Sequence, residues 1–436
     1  MFTIENLLYS IFLPLNNPRA GLRVGRLYAD LQKSQWYDHR ALEQLQNAKV
    51  KCLMEYARNN VPFYKDYNAW EGKTDTTFRE TLATYPILKK EDIRANSLHM
   101  HTITGMPRAC IVATTGGTTG KPIEVWHSRK NRALVDAATW RGRSWVGIKP
   151  WTRGVNVQSF GRGSWYGRLR VRLTNKWIMD VFGQTYAEKL QSAKELLRIS
   201  PKYLEGFVSE TLALGDACYA SGVQIDRVLT TGEMLYQHNR DEIKRLYGAE
   251  VSVYYGCNEI GAMAFECEHG SKHITDEHVI VEVVDENGVP QWEKPGRILL
   301  TDLDNYLTPF IRYEVGDIGI LTRSSCPCGR ELTLLKDLEG RTQDFIINAS
   351  GDKLSSLFFA GRFKDMKLIH RIQLVQRSLN EIDLLYEGSS EVAESELEEI
   401  ISEIHNRLGP EMQVSIKQVG QLIYTGRGKC RLIINL

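Results

Sequence analysis

The sequence predicts an α/β fold: a large N-terminal domain of α/β subdomains with a β-rich section, then a small α+β C-terminal domain. Three observations predict it. Strands alternate with amphipathic helices between residues 187 and 255, the pattern of a sheet with covering helices. A β-rich section follows, with Ile280-Val-Glu-Val-Val284, the turn Asp285-Glu-Asn-Gly288 and Arg297-Ile-Leu-Leu300. At Gly340-Arg-Thr-Gln-Asp344 the pattern becomes compact α+β, which sets a boundary at about residue 343 and domains of 1–342 and 343–436.

Taken in order, residues 39–58 read as a helix with Leu42, Leu45, Ala48, Cys52, Leu53 and Tyr56 on one face, stopped by Asn59-Asn60-Val61-Pro62. Pro86-Ile-Leu-Lys-Lys90 is a loop–helix junction, and Ser128 caps a helix running to about Val146. Ala187–Ile199 is helical, Val228-Leu-Thr-Thr-Gly-Glu233 is a buried strand ending in a polar turn, and Asn239–Tyr247 is a short amphipathic helix. Val251-Ser-Val-Tyr-Tyr255 is a strand running into Gly256-Cys-Asn-Glu-Ile-Gly261. Beyond the boundary come a hairpin through Ala349-Ser-Gly-Asp352, strands at 369–375 and 382–386, a helix at 395–408 stopped by Gly409-Pro410, and strands at 414–418 and 431–436.

Composition narrows the function classes. The 436 residues carry a net charge of +2, so no charge bias points to a partner. Eight cysteines in a chain this long do not make a disulfide framework, and a reduced, cytoplasmic protein is expected. The apolar start, Met1 to Pro14, lacks a basic leader and a small-residue cleavage site, and its apolar part is too short to span a bilayer. It reads as a core-packed helix, with a membrane-surface helix as the alternative.

One stretch concentrates chemistry: Ala113-Thr-Thr-Gly-Gly-Thr-Thr-Gly-Lys-Pro122, with three glycines, four threonines and one lysine. Glycines let backbone approach a ligand, and consecutive N–H groups with hydroxyls make an anion nest suited to a triphosphate. The Walker A pattern fails, because Thr115 stands where it needs Gly and Pro122 where it needs Ser or Thr. Pro122 and the alternating run after it predict strand–loop–strand instead of a loop opening a helix. A plain Gly/Thr hairpin tip is the structural alternative.

Between Ser128 and Lys176 lie twelve Lys/Arg and a single acid, Asp136, with six of the nine tryptophans in or beside the window. Basic residues among aromatics suit nucleic acid or an anionic second substrate, Arg162, Arg168, Arg170 and Arg172 being the candidates. The competing reading, tryptophans in the core and arginines on a solvated face, is favoured over nucleic acid. The polar turns after Val228–Thr231 and Val251–Tyr255 fall where an α/β sheet binds ligands, outside strand carboxyl ends. There Glu259 can hold Mg²⁺ against phosphate oxygens, Tyr255 can stack on a base and Asn258 can donate to phosphate. In the run Thr301–Asp317, Asp317 can accept ribose hydroxyls, and Arg312 can pair it or reach phosphate. The alternative is a β-turn aspartate in a structural salt bridge. Cys267, His273, Cys326 and Cys328 supply a Cys₃His set suited to structural zinc, with His269 competing with His273. Cys257 has no activating base nearby in sequence.

In this order the blocks resemble the adenylate-forming (AMP-binding) superfamily of acyl- and aryl-CoA synthetases, luciferases and peptide-synthetase adenylation domains. The likeness is greatest to the phenylacetate–CoA ligase branch, and within it to CapK-type proteins of polysaccharide biosynthesis clusters. The resemblance covers about residues 40–436. It implies a phosphate loop of Thr114, Thr115, Gly116, Gly117, Thr118, Thr119, Gly120 and Lys121, and an adenine-side turn at Gly232 and Glu233. It also implies an adenine-stacking Tyr255, a magnesium-holding Glu259, a ribose-binding Asp317 and a nucleotide-contacting Arg341, with Tyr254, Gly256 and Asn258 in the same nucleotide-binding turn. Lys429, in the loop Thr425-Gly-Arg-Gly-Lys-Cys-Arg431, matches the catalytic lysine of a mobile C-terminal lid; Lys429, Glu259 and Thr118 are the expected catalytic residues. Two departures are visible: Asn258 replaces the usual Thr, and Gln343 with Asp344 occupies the hinge, which leaves lid rotation open. The implied activity is ATP-dependent, AMP-forming ligation of a small carboxylic acid to a thiol (coenzyme A or a carrier) or an amine. A nucleotide-binding module without ligase activity is the alternative from another class.

Overall fold

The structure, a computed structural model, describes residues 4–16, 22–67, 77–108, 110–114, 123–157, 173–181, 184–341, 345–351, 353–355, 369–388, 397–398, 401–402, 404–405, 408–424, 430 and 432–435. The chain divides into two compact units, Met1–Thr152 with Tyr254–Leu338, and Arg153–Val253 with Glu339–Leu436.

The first unit begins with helices Ile4–Asn16, Arg23–Ser34 and His39–Asn60. Leu13 is buried, Phe12 and Tyr9 lie against Trp151, and the Asn16 amide donates to the Pro150 carbonyl, so the apolar N-terminal helix is docked on protein. Among the described residues no helix is long and apolar enough to cross a membrane. Asp38 caps the third helix by accepting the Ala41 N–H at 2.7 Å. Its buried stripe is Leu42, Gln46, Val50, Leu53, Met54 and Ala57. The expected face is therefore rotated: Ala48 and Cys52 are exposed, because Gln46, a polar residue, turns inward to donate to the Asp276 carbonyl at 3.0 Å.

Strands Ile111–Thr114 and Glu124–His127 pair antiparallel with Thr114 opposite Glu124, as the strand–loop–strand reading requires. The Trp126 N–H donates to Thr308 Oγ1, tying this hairpin to the Thr301–Asp317 run. Ser128 caps helix Arg129–Trp145 through the Asn131 N–H. That helix leaves Arg129 and Lys130 exposed, as the solvated-face reading expects, but corrects that reading at Arg141. Arg141 is completely buried and makes a two-pronged ion pair with buried Glu277, at 2.6 and 3.1 Å. Trp140 and Trp145 are buried as well, the latter donating its indole N–H to Gln35.

The unit's sheet runs in the order Val279–Val284, Gly296–Asp302, Tyr313–Thr322, the strand starting at Leu334, Lys272–Ile274 and Gly261–Glu266, with Tyr254–Cys257 paired antiparallel to the last. Its apolar faces join Leu53, Met54, Phe78, Ile123, Ile280, Leu300, Phe310 and Tyr313 in one core. Fixing such a layer buries aliphatic and aromatic surface worth about 25 cal/mol per Å².

The second unit holds the expected α/β alternation. Strands Lys176–Met179, Gly154–Val157, Tyr203–Gly206 and Arg227–Thr231 are parallel neighbours, crossed by helices Tyr186–Ile199, Val208–Ala220 and Gln237–Tyr247. Thr185 and Glu188 form a capping box at the first of these helices. Val155, Leu204, Val228, Leu212, Ile243 and Tyr247 fill the core beneath. In the C-terminal part, strands Gln413–Gln418, Glu381–Gly388, Ile369–Ser378 and Ile433–Asn435 form a four-stranded sheet in that order. The hairpin Phe345–Ile347 with Lys353–Ser355 and the helical residues Leu397, Ile404 and Leu408 pack with it.

Candidate active site

Strand Glu250–Cys257 ends in a register shift between Tyr255 and Gly256, after which Asn258–Ile260 turn the chain back into Gly261–Glu266. Glycine is required at the shift: a Cβ on Gly256 would stand 2.5 Å from the Gly261 carbonyl oxygen. Alternation along the strand sends Tyr254 and Tyr255 to opposite sides. Tyr254 stacks on Phe265, with ring centroids 5.6 Å apart, beside the cluster of Trp145, Cys267 and Cys326. Tyr255 instead directs its hydroxyl to Asp317 and donates to Oδ2 at 2.7 Å.

Strand Tyr313–Thr322 supplies the opposing residues, and its period of two puts Tyr313 and Asp317 on one side. The Tyr313 hydroxyl donates to Glu259 Oε1 at 2.8 Å. Two tyrosine–carboxylate bonds thus run in opposite directions between the turn and the strand: Tyr255 to Asp317, Tyr313 to Glu259. Tyr313 and Glu259 are both buried, and Asn258 is exposed. Burial, then the negative charge of Glu259, push the Tyr313 phenol far above its usual range, so it stays protonated and donates. Burial also raises the Cys257 thiol well above its ordinary value, with Glu259 and Asp317 adding to the effect, which removes it as a thiolate nucleophile.

Arg312 departs from expectation. Instead of pairing Asp317 it is buried against Glu282 at 3.3 Å and donates to the Tyr85 and Gly288 carbonyls. Its backbone sits at φ 51°, a left-handed conformation uncommon for arginine. That twist, with the Arg312 N–H bonded to Thr301 Oγ1, turns Arg312 inward while Tyr313 enters the strand.

The Cys/His set converges. Cys267 follows strand Gly261–Glu266, His273 lies in strand Lys272–Ile274, and Cys326 and Cys328 sit beyond strand Tyr313–Thr322. All four ligand atoms lie within 4.8 Å of one another, with Cys267 Sγ 3.7 Å from Cys326 Sγ and Cys328 Sγ 3.2 Å from His273 Nε2. His269 is bonded to Cys267 only through its backbone N–H, so His273 is the imidazole of the cluster. Burial and the nearby Arg330 push His273 down to about 4, leaving the neutral ring that a metal requires.

Comparison with known proteins follows the same lines. Residues 346–436 match the family described as the CapK C-terminal domain. A phenylacetate–coenzyme A ligase of Thermus thermophilus is 25% identical over 433 residues, covering 91% of this chain and 96% of the relative. One from Escherichia coli is 26% identical over 328 residues, 70% and 72% of the two chains. The chain is thus similar over most of its length to phenylacetate–coenzyme A ligases, and its C-terminal part matches that of CapK. A solved 2-hydroxyisobutyryl-CoA ligase, in the postadenylation state with 2-HIB-AMP, superposes with a TM-score of 0.69 at 19% identity, over 92% of this chain and 91% of the other, and shares the α/β fold.

The remaining expected residues divide. Gly232, at φ 74°, and Glu233 follow the carboxyl end of strand Arg227–Thr231. Glu233 accepts from the Ser209 N–H at 2.7 Å and the Ser209 hydroxyl at 2.8 Å, at the start of helix Val208–Ala220. An acidic group there complements the helix's positive end. Its Oε1 also accepts the N–H of Cys430 at 2.9 Å, the residue after Lys429. Thr114 ends its strand, and only the backbone of Arg341, the last residue of strand Leu334–Arg341, is described. Thr115, Gly116, Gly117, Thr118, Thr119, Gly120, Lys121, Arg162, Arg168, Arg170, Arg172, Gln343, Asp344 and Lys429 lie outside the described residues. Tyr313 is the residue that sequence reasoning missed. Its signal was parity, since it stands four before Asp317 in a strand.

Proposed function

We propose that this chain is an ATP-dependent, AMP-forming carboxylate ligase. It adenylates a small organic acid and passes the acyl group to a thiol, coenzyme A or a carrier, or to an amine. Its similarity to phenylacetate–coenzyme A ligases over most of its length supports an AMP-forming ligase in class. The observation that carries the site assignment is the pair of opposed tyrosine–carboxylate bonds, which draws Tyr255, Glu259 and Asp317 together from two distant motifs.

In the first half-reaction a carboxylate oxygen of the acid attacks the α-phosphorus of ATP, and the bond to the bridging oxygen breaks, releasing pyrophosphate. In the second, the acceptor's thiolate or amine attacks the acyl carbon and AMP leaves. Each protein group supplies position or charge, and none forms a covalent bond. The N–H groups and hydroxyls of Thr114–Lys121 cradle phosphates, Tyr255 offers a ring face to adenine, and Asp317 accepts ribose hydroxyls. Glu259 would hold Mg²⁺, which neutralises phosphate charge when bound. Arg341 contacts the nucleotide, and Lys429, carried by a lid of residues 343–436, steadies the charge developing at the α-phosphate. Cys267, His273, Cys326 and Cys328 would hold a structural zinc, and a reducing cytoplasm would keep their sulfurs free to bind it. The CapK match supports a place in polysaccharide or capsule assembly.

Exchange of labelled pyrophosphate into ATP, across a panel of aliphatic and aromatic acids, tests the reading. Exchange that depends on one class of acid is expected. Nucleotide binding without exchange for any acid would leave a binding module and end the ligase proposal.

A further inference from the structure

We infer that Tyr313 sets the divalent-cation preference of this site, by occupying one oxygen of Glu259 and leaving that carboxylate a single-oxygen ligand. The inference rests on the proposed role of Glu259 and goes beyond it. Oε1 is taken by the Tyr313 hydroxyl at 2.8 Å, and no other hydrogen bond reaches the carboxylate from the described residues. Tyr313 has no freedom to withdraw. Its ring is fully buried, with its centroid 4.7 Å from that of Phe310. Its backbone is held from both sides, paired with Leu300 in the sheet and bridged to Leu88 through the Arg312 carbonyl and the Glu314 N–H.

A carboxylate so held keeps Oε2 free, while one lone pair of Oε1 is spent on Tyr313 and that oxygen is fixed in place. Ca²⁺ takes six to eight oxygens and readily accepts both oxygens of one carboxylate at about 2.3–2.6 Å. Mg²⁺ demands near-octahedral geometry at about 2.0–2.1 Å and takes carboxylates one oxygen at a time, keeping waters and substrate phosphates as its other ligands. Engaging Oε1 therefore competes with the two-oxygen mode that Ca²⁺ favours and suits Mg²⁺. Tyr313 is a positioning residue: it acts through Glu259 and need not touch the cation.

The test uses the full chain, with a non-hydrolysable α,β-methylene ATP analogue and Mn²⁺ as the probe. Free Mn²⁺ is read by electron paramagnetic resonance as Mg²⁺ or Ca²⁺ displaces it from wild type, Tyr313→Phe, Glu259→Gln and the double variant. Outer ligands of this kind typically change metal affinity about 10–100-fold. The Mg²⁺-over-Ca²⁺ displacement ratio is expected to fall about tenfold in Tyr313→Phe, with no further fall when Tyr313→Phe is added to Glu259→Gln. An unchanged ratio, an equal fall in the Glu259→Gln background, or loss of the folded circular-dichroism spectrum in Tyr313→Phe would each overturn the inference. Wild type that binds no Mn²⁺ with the analogue would remove the Glu259 assignment itself, whereas normal wild-type binding with an unchanged ratio in Tyr313→Phe removes only the role of Tyr313.

Discussion

Replacing Glu277 by Gln tests the packing of the first unit at its most demanding point. The change keeps the side-chain shape and deletes one charge, stranding Arg141, whose side chain is 0% exposed. The wild-type pair is two-pronged, at 2.6 and 3.1 Å; Ser34 adds a hydroxyl at 2.5 Å to Oε1, and Arg141 also donates to the Leu31 carbonyl. Breaking one partner of such a buried pair costs about 3–5 kcal/mol, because the surviving charge is left without compensation. For a unit of this size each kcal/mol moves Tm by roughly 2–4 °C, so a fall on the order of 10 °C is expected. Trp145, whose ring lies 5.3 Å from the Arg141 guanidinium, makes near-ultraviolet circular dichroism a local reporter of the transition. The pH dependence follows with its sign. Burial alone would raise the Glu277 carboxyl, but the Arg141 charge and the hydrogen bonds from Arg141 and Ser34 outweigh it and hold it below its ordinary range. The pair's contribution is thus complete above the unfolded carboxyl value of about 4.3 and is lost as pH falls through the lower folded value. The gap between wild type and Glu277→Gln should be full at pH 7 and narrow only below about pH 4. The apolar pair Arg141→Met with Glu277→Leu should recover most of the loss. A Tm within about 2 °C of wild type for Glu277→Gln at pH 7, or a double variant no better than the single, would refute the reasoning.

Two further outcomes bear on the reaction and on the cysteine cluster. Lys429→Ala should slow single-turnover adenylate formation by about 10²–10³-fold while ATP binding, read by calorimetry, falls far less; unchanged adenylate formation would remove the lid assignment. Protein purified without chelators should carry about one zinc per chain by elemental analysis, as a four-ligand Cys₃His site requires, and Cys328→Ser should lose it together with thermal stability. Metal-free wild type of full stability would remove the zinc proposal.

Local signals carried the reading far. The apolar repeat of residues 39–58 yields the helix His39–Asn60, Ser128 caps the helix that follows it, and Pro122 foretells the strand Glu124–His127. Those features depend on neighbours within a few residues. What escaped depends on partners far apart in the chain. Arg141 reads as one more cation in a basic window, and only Glu277, 136 residues on, makes it a core residue. Gln46 breaks the apolar repeat because Asp276 offers its carbonyl. Arg312 sits near Asp317 in sequence, yet its left-handed backbone turns it to Glu282. Tyr313 was in view throughout the polar run, but its hydroxyl acquires meaning only opposite Glu259, 54 residues earlier.

Glu233 serves two masters at once. The same carboxylate finishes the start of helix Val208–Ala220 through Ser209 and grips the peptide N–H that follows Lys429. A nudge to the first turn of that helix is therefore passed on, through one shared carboxylate, to the neighbour of the lysine on which the chemistry is expected to turn. Substitutions at Ser209, whose tie to the expected adenine-side turn runs through Glu233, should then be felt in turnover as well as in stability.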